Sequence, residues 1–66
     1  MNILKFEYKN WKGNIGVREI VPIEMWYGST EYHTEIQWLI KAYDTQDWDK
    51  IKDFAIKDII RFMWNI

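Results

Sequence analysis

Cysteine is absent, proline occurs once, glycine three times, and neither sign of charge prevails: nine Lys and Arg against ten Asp and Glu leave a formal net charge of −1. Without cysteine there is no disulfide and no thiolate metal centre. The balanced charge excludes a global attraction to nucleic acid, so any such binding must come from a local cluster. Scarce glycine leaves no phosphate-cradling Gly-rich loop. No apolar run approaches the ~18 residues of a membrane span. The N-terminus also lacks the apolar stretch and cleavage site of a signal peptide. These absences predict a soluble, cytoplasmic chain with no membrane partner.

What is present is apolar and aromatic. The 66 residues allow a single domain over 1–66. A chain of this size buries only about 60% of its unfolded surface. Aromatic residues make up 18% of it, five of them Trp, and each large ring can bury roughly 150–250 Å². With 48% hydrophobic residues and little net charge, disorder is excluded.

Residues 3–9 alternate, with Leu4, Phe6 and Tyr8 on one face and Lys5, Glu7 and Lys9 on the other, the period of a half-buried strand. Residues 10–14 read as a turn, in which Gly13 can take positive φ. Residues 15–27 form a second, β-branched run whose parity Val17, Val21, Ile23, Met25, Tyr27 predicts the core face, with Arg18 pointing away from it. Pro22 lacks an N–H, which predicts a bend, a bulge or an edge position there. Residues 28–30 break the chain again. A third strand over 35–43 puts Ile36, Trp38, Ile40 and Ala42 on one face, and residues 44–47 are the next break. Three strands with short connections suggest an antiparallel meander. Phe6, Tyr8, Trp38 and Phe54 are the simplest core.

The last twenty residues admit two readings. Trp48, Ile51, Ala55, Ile59, Phe62, Met63 and Ile66 fit helical spacing with Asp47 as N-cap, giving an α+β protein with a C-terminal helix on a three-stranded meander. Alternatively, strands at 50–56 and 60–66 flank a tight turn at Lys57 and Asp58, which the β-forming run 60–64 favours.

Read in order, the residues resemble a WYL domain, a small, strongly bent, five-stranded antiparallel barrel of the Sm-like or SH3-like kind, mainly all-β. Phe6-Glu7-Tyr8 resembles its opening aromatic strand, and Arg18-Glu19-Ile20-Val21-Pro22 its Arg with Pro four residues on. Trp38-Leu39-Ile40-Lys41-Ala42-Tyr43 resembles the Trp-Tyr-Leu strand, with Leu39 in the place of Tyr and Lys41 in that of an aliphatic. The closing segment, Lys52-Asp53-Phe54-Ala55-Ile56-Lys57-Asp58-Ile59, carries Lys52 and Asp58 where the family usually has Arg. Lys is a point charge without Arg's planar fork. The resemblance spans about residues 6–62. It favours the strand reading and implies a non-enzymatic regulatory module for nucleic acid or a nucleotide-type anion. Short free-standing versions look phage-encoded, which implies a modulator of host regulation or defence in the host cytoplasm.

The candidate ligand residues follow. Arg18 can clamp a phosphate through two parallel hydrogen bonds, or be a surface cation paired with Glu19 or a cross-strand carboxylate. Lys52 and Lys41 would add charge to the same anion. Tyr32, His33 and Tyr43 would contact a base or sugar, although a lone histidine in the polar segment 29–34 also reads as a loop residue. His33 has no second His or Cys for a metal site. No nucleophile–base set is recognisable, so neither catalysis nor a cofactor is expected. Exposed rings serve as stacking platforms or as an interface. Trp26 and Trp64 are the interface candidates, in a homo-oligomer or against a host protein added along a free strand edge.

Overall fold

The computed structural model describes residues 2–65, with side chains through Met63. Its elements are β1 (Leu4–Lys9), β2 (Ile15–Gly28), β3 (Gln37–Asp44), β4 (Asp47–Ala55), a 3-10 turn (Ile56–Asp58) and β5 (Ile59–Asn65). They form one five-stranded antiparallel sheet in the order β4-β3-β2-β1-β5. The all-β reading holds, and this order, with the 3-10 turn joining β4 to β5, is that of a small SH3-like or Sm-like bent sheet. The helical alternative for the C-terminal third is corrected: no α-helix occurs among the described residues. Its residues instead gain cross-strand partners, Phe54 opposite Ile40 and Phe62 opposite Phe6, and such pairs are the unit of sheet stability. No helix among the described residues is long and apolar enough to cross a membrane.

The sheet curls on itself. Strands β1 and β4 are separated by two others, yet the Phe54 ring stands edge-on to Phe6 at 5.8 Å and to Tyr8 at 5.3 Å. The backbone N–H of Ala55 donates to the Tyr8 hydroxyl at 2.9 Å. Phe6, Tyr8, Ile20, Ile40, Ala42 and Phe54 form the core, with Leu4, Ile56 and Ile59 packed against it. Each large apolar side chain there contributes roughly 1.5–3 kcal/mol by leaving water. Burial pushes the Tyr8 phenol above its ordinary value, helped by the Asp58 charge and opposed by the Ala55 N–H and Arg18.

The face assigned to β2 from its parity is overturned. Up to Ile20 the even residues face the core: Arg18 lies opposite Phe6, and Ile20 is fully buried. Val17 points outward and is exposed. The register then slips between Pro22 and Glu24, making Ile23 the extra residue of a bulge. Beyond it parity reverses, so Met25 and Tyr27 lie opposite Ile40 and Trp38. The expected Val17–Tyr27 face is therefore two faces. Strand β1 pairs with β2 only as far as Ile20, so Pro22 lies where one side of β2 is already an edge. Trp38 is corrected as a core residue: it is 53% exposed, at the flared end of the sheet beyond the reach of β1.

Candidate anion-binding site

Two loops meet above the core. In the β1–β2 turn the Asn10 side-chain oxygen accepts the N–H groups of Lys12 and Asn14 at 3.0 and 2.9 Å. Gly13 closes the turn at φ +88°, a conformation costly for any residue with a Cβ. In the β2–β3 loop the Thr30 hydroxyl accepts the N–H groups of Tyr32 and His33 at 3.2 and 3.0 Å, the local side-chain bonding Thr offers in turns. The two tips bring the Trp11 and Tyr32 rings to 5.3 Å.

Beneath that ring pair opens a cavity of about 540 Å³, lined by Tyr8 and Phe54 from the core, by Arg18, Lys50 and Lys52, and by Trp11, Tyr32 and His33. Four predicted ligand residues, Arg18, Tyr32, His33 and Lys52, thus share one cavity. Arg18 reaches it because it faces inward, its guanidinium 5.9 Å from the Phe54 ring centroid. This reverses the expectation that it leaves the core face.

The two strand cations converge on a carboxylate. Arg18 Nη1 donates to Asp44 Oδ2 at 3.2 Å, and Lys52 Nζ lies 3.5 Å from the same oxygen. Lys52 also reaches Asp47 at 3.7 Å. Asp44 is 2% exposed, and its other oxygen accepts the Gln46 N–H at 2.9 Å. The Thr45 N–H donates to the Glu19 carbonyl at 3.0 Å, tying this turn to β2. A buried carboxylate so partnered meets the requirement that buried charge be paired and hydrogen-bonded. Its ion pairs also hold both cations at the cavity. Arg18 spends one nitrogen on Asp44 and carries five N–H donors in all.

Lys41 and Tyr43 do not join this group. Lys41 projects from the opposite face of β3, 3.9 Å from Asp53 and over the Trp26 ring at 5.5 Å. Tyr43 sits beside Trp48, ring centroids 6.2 Å apart. Both have the parity opposite to Ala42 and Asp44, which face the core and Arg18. Trp26 is half-buried; its indole N–H donates to Asp53 at 2.8 Å, and its ring lies over Gly28, where a Cβ would collide with it. It caps the outer face above Leu39 and Ala55, with which it is in register. The side chain of Trp64 lies outside the described residues.

Three members were missed in the sequence. Trp11 was legible only as a turn residue and Asp44 only as part of a break. Lys50 carries no local signal, because the curl of the sheet brings it to the cavity. Among the described residues no group of His, Asp or Glu could hold a metal ion. Comparison with family models, curated proteins and solved structures finds no match to the chain.

Proposed function

We propose that the chain is a non-enzymatic binding module for a nucleotide-type anion, seated in the cavity beneath Trp11 and Tyr32. The observation that carries this reading is the meeting of Arg18, Lys52, His33 and Tyr32 on one cavity. A phosphate there takes charge-assisted bonds from the remaining Arg18 donors and from Lys52. The base lies against Tyr32 and Trp11, where stacking contributes roughly 1–3 kcal/mol. His33 donates to the phosphate or the sugar. The resemblance to WYL domains supports the same class of ligand.

Titration of the intrinsic Trp fluorescence with thymidine monophosphate tests it. The reading expects saturable quenching that weakens with salt, and an affinity at least about tenfold lower in Arg18→Ala. No response, or an unchanged affinity in Arg18→Ala, contradicts it.

A second reading, a protein-interaction module, is favoured by a different observation. At the flared end Met25, Tyr27, Ile36 and Trp38 are all exposed, and Tyr27 stands edge-on to Trp38 at 5.2 Å. An aromatic patch of this kind is typical of interface cores. Under this reading a second copy covers the patch, and Trp38→Lys converts a sedimenting dimer to monomer while leaving nucleotide affinity unchanged.

A further inference from the structure

The first part of β2 lies between β1 and β3, but β1 reaches only to Ile20. Over residues 21–28 the strand pairs with β3 alone among the described residues, so its other side presents a row of backbone N–H and C=O groups. Such a row is a template for a further strand unless something blunts it. The sheet has two other free edges, and both are blunted. Strand β4 carries five charged residues, Asp47, Asp49, Lys50, Lys52 and Asp53, among its nine. Strand β5 shifts register twice against β1, so that Ile60 and Met63 are extra residues interrupting its edge. On β2 the comparable devices, Pro22 and the bulge at Ile23, end before Glu24. Residues 24–28 hold no lysine and no proline, and their one charge is Glu24.

We infer that residues 24–28 pair antiparallel with the same residues of a second copy, about a two-fold axis at Trp26, and so join two sheets into one. This rests on the protein-interaction reading, in which a second copy meets the flared end, and names how the two copies meet. A two-fold contact needs a surface that complements itself, and this stretch does so in one register. Centring on Trp26 sets Met25 opposite the partner's Tyr27, Glu24 opposite the partner's Gly28, and Trp26 opposite its own counterpart. The two Glu24 carboxylates then stand four residues apart, about 13 Å along the ladder, beyond the ~8 Å screening length of physiological salt. Centring on Glu24 would set like charges face to face, and centring on Met25 would draw Pro22 and the Ile23 bulge into the ladder. Met25 and Tyr27 are both exposed in the single chain, on the face of Ile40 and Trp38. In this register each gains an apolar cross-strand neighbour.

Sedimentation velocity and hydrogen exchange read by mass spectrometry, each over a series of protein concentrations, test it. The protein sediments as a dimer at high concentration. Amide exchange at residues 24–28 slows at least about tenfold from the monomeric to the dimeric samples, while residues 47–55 and 59–65 exchange as before. Met25→Lys, at an exposed position, puts on the edge the kind of charge that blocks strand pairing. It weakens the dimer at least about tenfold, with the far-ultraviolet circular dichroism of the parent. A dimer that gains no protection at residues 24–28, or that Met25→Lys leaves unaffected, overturns the edge pairing and leaves association through the aromatic face of the flared end standing. Protection gained at residues 47–55 or 59–65 instead moves the contact to another edge and overturns it as well. A chain that stays monomeric at every concentration overturns this inference and the interaction reading together.

Discussion

Asp44 is the residue on which the inner polar cluster turns. It is nearly inaccessible and holds Arg18, Lys52 and the Gln46 N–H at once. Both cations remain about a third exposed, so solvent screens part of each pair. Asp44→Ala is therefore expected to lower stability by roughly 1–3 kcal/mol rather than by the full value of a dry ion pair, read from urea unfolding. It also releases the guanidinium from its fixed orientation, so nucleotide affinity falls along with stability. Tyr8 supplies a pH test. Burial first, and then the Asp58 charge, hold its proton more tightly in the folded chain than in the unfolded one. Its contribution is complete below pH ~10, and is lost as pH rises above that value toward the higher folded one, because the unfolded phenol ionises first. Tyr8→Phe strands the buried Ala55 N–H, which costs about 1–3 kcal/mol at neutral pH. It also removes this component of the alkaline loss, so urea midpoints at pH 7 and pH 11 should differ less in the variant than in the parent.

At the scale of elements, strands and turns were legible because their signals are local. Alternation in residues 3–9 identified β1, and the turn at 10–14 closes on Gly13 as its composition required. Gly13→Ala is expected to lower stability by about 1 kcal/mol through its positive φ. Gly16→Ala, in a strand with open space around its Cβ position, should be neutral or slightly stabilising, and urea unfolding of the pair separates strain from composition. The face of β2 was not legible, because one inserted residue at Ile23 reverses every side chain beyond it. Pro22 marked the place, but nothing local says whether a proline bends, bulges or edges a strand. Lys41 was misassigned to the site for a related reason: alternation tells which residues share a face, not which face closes on the core. The two readings of the C-terminal third were separated by a non-local packing, Phe54 against Phe6 and Tyr8 across the curled sheet.

Across the whole molecule, the curl divides the surface into two regions of different chemistry. One lies between the β1–β2 and β2–β3 loop tips, where basic side chains flank the Trp11–Tyr32 pair. The other is the flared end, where Met25, Tyr27, Ile36 and Trp38 are exposed beyond the last residue that β1 covers. The proposed nucleotide binding would use the first region and the proposed association with a further chain the second, so the two readings are separable by substitutions in one region or the other. The most direct measurement is a backbone and indole NMR titration with thymidine monophosphate at low salt. The account predicts shifts confined to the Trp11 indole, Arg18, residues 30–33 and residues 50–54, saturating together and reversed by added salt. Spectra that do not change, or shifts centred on Met25, Tyr27 and Trp38, would contradict it.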